Sequence, residues 1–181
     1  MAVIRLLLNP VFANDYVTLY NDEVRFRDGT LGRFLRVVES GGDPGVAALA
    51  LCGDAVALVH TYRYPIEAWE WGIPRGFAHG GSPEESIQTE LAEELGHAPE
   101  SIEPLGTMTP NSGLLSSVVH LFVAHYRTTV ASPGSMEVAE MRWTTRSQLL
   151  DDIASGRIVD GFTLAAVGLG IARGVLPARL Q

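Results

Sequence analysis

The sequence predicts an α/β fold, because strand-like and helix-like segments alternate along most of the chain. Apolar runs at 46–51, 55–62 and 118–126 predict buried strands. Between them, a capped segment at 83–95 with an apolar residue at every fourth position predicts a helix with one buried side. A hydrophobic content of 46% in 181 residues is sufficient for one good-sized core.

Residues 1–45 are predicted to form a small β region of their own. Asp28-Gly29 is a turn signal between two strand-like runs and predicts a β-hairpin. The cluster GGDPG at 41–45 breaks regular structure and predicts a domain boundary. Residues 46–181 are therefore predicted to form the main domain.

The charge balance argues against two classes of partner. The net charge is −8 and the sequence pI is near 5.0, with no run of Lys or Arg. Binding to nucleic acid or to an anionic membrane is not expected, because both depend on clustered basic residues. An acidic protein that handles a phosphate anion must supply local cations, and a bound metal ion is the obvious source.

The cysteine content and the apolar runs predict a cytoplasmic protein. The single cysteine, Cys52, excludes an internal disulfide and lies in an apolar run that predicts a core position. The apolar stretch near the N-terminus is too short for a signal peptide, and the run at 162–172 is too short to span a bilayer. No membrane partner is predicted.

The segment 74–96 organises the chain. Ser82 is a suitable cap, Pro83 suits the first helical position and Glu85 completes a capping box. Gly96 is a suitable helix stop. The predicted helix is anchored on its apolar side and preceded by a glycine-bearing loop at 75–81.

Three carboxylates, those of Glu90, Glu93 and Glu94, are predicted to share one face of this helix, because residues at i, i+3 and i+4 are neighbours on its surface. Like charges repel, so the arrangement favours a bound cation. Clustered hard oxygen ligands suit Mg²⁺ or Mn²⁺ better than Zn²⁺. The competing interpretation is an ordinary solvated face of a glutamate-rich helix.

The segment resembles a Nudix box, the pattern G-x5-E-x7-R-E-U-x-E-E-x-G-U in which U is apolar. The matching residues are Gly76, Glu90, Leu91, Glu93, Glu94 and Gly96. The preceding run TYRYPIEAWEWGIPRGF and the closing run ASGRIVDGFTLAAVGLGIARG resemble the ADP-ribose pyrophosphatases of that family. The resemblance implies a Nudix α/β/α sandwich with a mixed sheet, preceded by the small N-terminal β region.

The box is degenerate in this chain. The spacing from its first glycine to the first matched glutamate is one residue short, and His97 occupies its last apolar position. The glutamate and arginine that brace the loop against the helix in the family fall on Gly81 and Thr89, and Gly72 stands where relatives tend to have a glutamate. Loss of such supporting residues costs roughly 10–100-fold in metal affinity or activity.

The resemblance implies metal-dependent hydrolysis of the pyrophosphate bond in a nucleoside diphosphate linked to another moiety. ADP-ribose is the leading candidate substrate, with AMP and ribose 5-phosphate as products. Glu90, Glu93 and Glu94 are implied metal ligands for Mg²⁺ or Mn²⁺, and Glu93 is also a candidate catalytic residue.

Arg63, Arg75 and Gly76 are candidate substrate-binding residues. Arg63 follows a predicted buried strand, and the planar fork of an arginine matches phosphate oxygens. A salt bridge from Arg63 to Glu67 or Glu70 is the alternative. The loop that begins at Arg75 and Gly76 is implied by the resemblance to approach the metal and the phosphates.

Glu137 is the candidate residue for acting on the attacking water. Relatives place a glutamate on a mobile loop at this point, and the segment 128–136 before it is polar and contains Pro-Gly. Glu137 matches best, Glu140 is the fallback, and a solvated acidic loop is the competing interpretation.

The resemblance also bears on the oligomeric state and on an alternative function. Relatives use their N-terminal β region to pair two subunits and to assist substrate binding, so a homodimer is expected; an ordinary sheet extension is the alternative. The degenerate box motivates a second hypothesis, a catalytically weak or inactive Nudix fold that binds a nucleotide as a sensor or regulator. A purely structural dimer module would not explain the three carboxylates.

Overall fold

The computed structural model describes residues 2–78, 80–129 and 136–177. The chain forms two compact units. One comprises the chain up to Pro44 together with Thr109–Val118, and the other comprises Gly45–Met108 and the chain from Val119 onward. Thr109–Val118 falls within 46–181, the range that the sequence predicts to be the main domain. These residues belong to the first unit because their main chain exchanges hydrogen bonds with Val37.

The first unit is a four-stranded antiparallel sheet built around one long strand. Its strands are β1 (Ile4–Leu7), β2 (Pro10–Ala13), β3 (Val17–Arg25) and β4 (Leu31–Glu39). β3 pairs with β4 over its whole length and with β1 and β2 in succession along its other edge. The hairpin expected at Asp28-Gly29 is confirmed, and Thr30 donates to the Asp28 carboxylate through its N–H and its hydroxyl.

The second unit contains a mixed seven-stranded sheet. Its strands are β5 (Gly45–Cys52), β6 (Ala55–Arg63), β7 (Ala68–Gly72), β8 (Arg75–Phe77), β9 (Ser101–Met108), β10 (Val119–His125) and β11 (Val138–Thr145). The order is β11-β6-β5-β10-β9, with β7 added to β6 and β8 added to β5. β10 runs parallel to β5, whereas β6 and β8 pair with β5 in the antiparallel sense.

Helices cover both faces of this sheet, which confirms the α/β/α sandwich. They are α1 (Pro83–Leu95), α2 (Arg146–Ala154) and α3 (Gly161–Ala172). Leu49 and Leu58 pack on one side with Leu149 of α2, whereas Val46 and Ala48 pack on the other with α1. β5 is therefore buried on both faces, which explains its continuous apolar sequence. Within the described ranges, no helix has the length and apolarity needed to cross a membrane.

A buried aspartate fastens α2 to the sheet. The Asp152 carboxylate pairs with Arg142 of β11 at 2.7 Å and with Arg157 at 2.6 Å, and it accepts a hydrogen bond from Gln148 at 2.8 Å. Burial alone raises the pKa of Asp152, but the hydrogen bonds and positive charges outweigh burial and lower it below its ordinary value. The ion pairs of Asp152 therefore tie α2 and the segment after it to β11.

Of the two predicted loops, the first is partly a strand and the second lies largely outside the described residues. The loop expected at 75–81 is wrong in its first part, because Arg75–Phe77 forms β8 by pairing its main chain with residues 45–47 of β5. The loop expected at 128–136 falls largely on residues 130–135, which lie outside the described residues.

Candidate active site

Helix α1 begins and ends where the sequence predicts. Ser82 caps it by accepting a hydrogen bond from the Glu85 N–H at 3.2 Å, and the Glu85 carboxylate accepts one from the Ser82 N–H at 3.0 Å. This reciprocal pair is a capping box. Gly96 ends the helix in the left-handed conformation, with φ of 79°. Its buried residues, which include Leu91 and Leu95, dock it on the sheet and hold its acidic face in place.

Two of the three predicted carboxylates converge on β8. The Arg75 N–H donates to Glu94 Oε2 at 3.2 Å. The Glu90 carboxylate lies so close to Gly76 that a Cβ atom added there would overlap both of its oxygens. Any larger residue at position 76 would force the Glu90 carboxylate to move, so the box glycine and the first box glutamate are structurally coupled.

The two carboxylates repel each other. Burial and the charge of Glu90 raise the pKa of Glu94 from its ordinary 4.5 to about 8, although the Arg75 N–H and the charges of Arg63 and Arg75 oppose the shift. A divalent cation would replace that proton. The site fits Mg²⁺ or Mn²⁺, since its donors are hard oxygens and Mg²⁺ commonly uses one or two carboxylates together with water and substrate phosphates.

Glu93 is the third predicted carboxylate of α1. An α-helix turns by about 100° per residue, so Glu93 and Glu94 project in different directions. Glu93 is exposed and, together with Glu90, lines an open pocket of about 290 Å³ whose lining also includes Gly81 and Thr89. Across residues 2–78, 80–129 and 136–177, no three His, Cys, Asp or Glu side chains form a preformed metal-binding group.

A pH dependence follows from the carboxylate pair. The folded protein without metal holds more protons than the unfolded chain between the ordinary pKa of Glu94 and its raised pKa of about 8. We expect the free energy of unfolding to fall as pH rises through this window, with the full contribution of Glu94 present only below about pH 4.5. Urea unfolding in EDTA from pH 5 to 8.5 measures the slope, and Glu94→Gln should remove the part of it that is due to this residue. An unchanged slope in the variant would contradict the assignment.

The end of β6 supplies two polar atoms that lack hydrogen-bond partners. Thr61 Oγ1 and Arg63 Nε are buried and unpaired among the described residues. Alternate residues of a strand share a face, so Thr61 and Arg63 lie on the same face of β6 as Val59. Val59 packs on the α1 side of the sheet. The expected alternative of a salt bridge from Arg63 to Glu67 or Glu70 is not among the ion pairs of the described chain. Thr61 is a candidate that the sequence motifs do not single out, although its position two residues before Arg63 on one strand is a usable signal.

The side chain of Arg75 extends towards α3, whereas its main-chain N–H faces Glu94 of α1. Its guanidinium pairs with Asp160 at 3.2 Å and lies 3.9 Å above the Phe162 ring. Burial lowers the pKa of Arg75, and the Asp160 charge opposes that shift. Asp160 could not be predicted from local sequence, because 85 positions separate it from Arg75 and only the fold brings α3 to this place.

The candidate water-activating residues lie at the start of β11. Glu137 precedes β11 and is exposed. The pairing of Val138 with Thr61 sets it beside the end of β6 that carries Arg63. Glu140 is also exposed, opposite His60. In the described part of the chain neither glutamate forms an ion pair.

The family model of the NUDIX domain matches residues 42–160, which is more than half of the chain. The chain belongs to the Nudix hydrolase family. Enzymes of the Nudix family generally use divalent metal ions, which agrees with the oxygen donors of Glu90 and Glu94.

Several proteins of known function resemble this Nudix chain. The CMP-5'-(N-acetyl-N-hydroxy-3-aminopropyl)phosphonate hydrolase of Streptomyces rubellomurinus is 28% identical over 138 residues, covering 72% of this chain and 67% of its own. The methanol dehydrogenase activator of Bacillus methanolicus is 28% identical, covering 87% and 86%. The GDP-mannose pyrophosphatase of Klebsiella pneumoniae subsp. pneumoniae is 26% identical, covering 87% and 86%.

A solved structure shares the fold. The crystal structure of an ADP compounds hydrolase superposes with a TM-score of 0.77 and covers 97% of this chain and 94% of its own. At 19% sequence identity, this likeness supports the Nudix fold and nothing finer.

Proposed function

We propose that this Nudix protein hydrolyses the pyrophosphate bond of a nucleoside diphosphate linked to another moiety, with ADP-ribose as the leading substrate. The observation that carries the proposal is the Glu90–Glu94 pair held against Arg75 and Gly76 of β8. The Arg63 charge acts on Glu94, and Arg63 Nε and Thr61 Oγ1 are buried without hydrogen-bond partners among the described residues, so oxygen donors for a cation and polar donors for phosphate occur together.

The chain's own residues divide the work. Glu90 and Glu94 would hold Mg²⁺ or Mn²⁺, which when bound neutralises phosphate charge and lowers the pKa of a water molecule. Glu93, which lines a pocket together with Glu90, is the further candidate ligand and catalytic carboxylate. Arg63 would position the phosphates with its guanidinium fork, and Arg75 and Gly76 would place the β8 main chain beside them.

A carboxylate must also act on the attacking water. We propose Glu137 for this role, with Glu140 as the fallback. Support comes from the β6–β11 register, which brings the start of β11 beside Thr61 and Arg63. A general base must come within hydrogen-bond reach of the proton it accepts, and exposure of Glu137 leaves its side chain free to do so.

The names of several relatives support a nucleotide-linked substrate, but they do not decide which base it carries or which group is linked to it. Their names specify CMP-linked and GDP-linked compounds. The decisive experiment is therefore a substrate panel that includes ADP-ribose, other ADP-sugars, GDP-mannose and dinucleotides, assayed with Mg²⁺, with Mn²⁺ and with EDTA. We expect metal-dependent release of AMP and ribose 5-phosphate from ADP-ribose. Faster turnover of a different diphosphate would move the substrate assignment, and metal-independent turnover would contradict the mechanism.

A second candidate function is a nucleotide-binding sensor with little or no turnover. It is favoured by Gly81 and Thr89, which stand where the family carries its bracing glutamate and arginine. In that case ADP-ribose should raise the melting temperature with no product formed over hours. Restoring the pair by Gly81→Glu with Thr89→Arg should then increase turnover.

We propose that the protein is a homodimer joined through the first unit. By strand register, one face of its sheet carries five exposed apolar side chains, namely those of Ile4, Leu7, Phe12, Leu31 and Leu35. Their exposures run from 48% to 71%. An apolar patch of this kind on a soluble domain marks an interaction surface, and a second copy of the same face is the occupant we expect.

The dimer has a direct test. Leu35→Lys is expected to convert the dimer to a monomer, because it buries a charge in the proposed apolar contact. Phe34→Lys is the matched control, since Phe34 is the adjacent residue, is 44% exposed and points to the other face. Light scattering after size exclusion measures both. A monomeric wild type, or equal behaviour of the two variants, would reject this interface.

A further inference from the structure

Asp160 fastens the start of α3 to the connection between β7 and β8. Its carboxylate is nearly fully buried, and Oδ2 accepts hydrogen bonds from the Thr163 N–H at 2.9 Å and the Thr163 hydroxyl at 2.7 Å. That hydroxyl oxygen accepts a third bond from the Ile73 N–H at 2.9 Å. The helix cap and the site-forming connection are therefore parts of one network.

The other oxygen of Asp160 reaches the candidate active site. Oδ1 lies 3.2 Å from Arg75 Nη2, and the guanidinium packs on Phe162 in the first turn of α3. The Arg75 main chain donates to Glu94. A continuous path of contacts thus runs from α3 through Asp160 and Arg75 to one of the two paired carboxylates of α1.

Position 72 is adapted to this network. A Cβ atom added at Gly72 would lie 3.0 Å from Asp160 Oδ2 and 3.2 Å from the Thr163 hydroxyl oxygen. Any larger side chain there would press on the capping carboxylate, and an acidic one would add a second negative charge beside it. Glycine at 72, arginine at 75 and aspartate at 160 are therefore mutually compatible.

We propose that Asp160 is a positioning residue that orients Arg75 and, through the Arg75 main chain, holds β8 against Glu94. In this chain it supplies the support that the absent box pair at Gly81 and Thr89 would give. The expected effect on kcat/KM rests on the proposed function, whereas the expected effect on the Arg75 amide rests on the contacts alone. The competing possibility is that Asp160 only caps α3.

The variant Asp160→Asn separates these roles. Asparagine retains a cap acceptor for Thr163 but loses the charge that pairs with Arg75. We expect kcat/KM for the diphosphate substrate to fall roughly 10–100-fold, the range seen when an outer-shell partner is removed. Adding Asp160→Asn to Arg75→Ala should cause little further loss, because both changes break one interaction. Additive losses would overturn the proposal.

A second readout does not need activity. In ¹⁵N NMR spectra of the metal-free protein, Asp160→Asn should shift the Arg75 amide and increase its hydrogen exchange. A residue that only caps α3 would move the amides of the first turn of α3 and leave Arg75 unchanged, which would overturn the proposal. Asp152→Asn is the matched control, because Asp152 is another buried aspartate that pairs with arginine. This substitution should lower stability but leave the Arg75 amide shift and exchange unchanged, and it should change kcat/KM of the folded fraction by less than about twofold.

The two proposals can fail separately. If wild-type protein hydrolyses no diphosphate in the panel, the proposed function fails, and the Arg75 amide still decides the role of Asp160. If hydrolysis is robust but Asp160→Asn behaves like Asp152→Asn, the proposed function stands and the positioning role is rejected.

Discussion

Replacing Glu94 with glutamine is expected to reduce kcat/KM more than about 100-fold while leaving the protein folded. Supporting residues around a metal are worth 10–100-fold, and loss of a directly ligating carboxylate should cost more. The metal-free variant should be at least as stable as wild type at pH 8, because a neutral amide removes the burial cost of the charge and the repulsion from Glu90, which together raise the pKa of Glu94 to about 8.

The measurement pairs steady-state kinetics with thermal unfolding, each with and without Mn²⁺. Wild type should gain stability with Mn²⁺, and Glu94→Gln should lose most of this gain. Glu84→Gln is the matched control, since Glu84 is an exposed glutamate in the first turn of the same helix. An active Glu94→Gln variant that still gains stability with Mn²⁺ would remove Glu94 from the metal site.

Replacing Gly76 with alanine should be almost as damaging to activity. The added Cβ would overlap the Glu90 carboxylate, so either β8 or the glutamate must move. Moving Glu90 separates the carboxylate pair, and misplacement by about 1 Å can cost roughly 100-fold in rate. The cost in unfolding free energy should be small, because the atoms that must shift are the end of the flexible Glu90 side chain.

Gly168→Ala is the matched control for this change. Gly168 lies in α3 with no atom within 4 Å of an added Cβ, so the same substitution should stabilise the helix by about 0.5–1 kcal/mol without affecting kcat/KM. Urea unfolding and kinetics on both variants give the comparison. Full activity of Gly76→Ala would mean that Glu90 is not constrained by β8 in the working enzyme.

Local sequence determined the elements that depend on neighbouring residues. The α1 cap, its stop at Gly96 and its buried side are set by residues within one helix length, so their prediction was confirmed. The hairpin at Asp28-Gly29 and the central strands followed from short-range turn chemistry and apolar content in the same way. The resemblance to the Nudix box, which the family match confirms, likewise resides in one continuous segment.

The remaining features depend on contacts between distant segments, so only the tertiary structure decided them. Pairing with β5 made a strand of Arg75–Phe77, and contact with Val37 drew Thr109–Val118 into the first unit. Docking of α1 brought Glu90 and Glu94 against β8 and left Glu93 exposed, a distinction that helical spacing alone could not make. Sequence alone determined which charged residues were present, whereas folding determined which of their charges lie close together. The energy of a charge pair depends on the distance between the two charges in space and not on their separation along the chain.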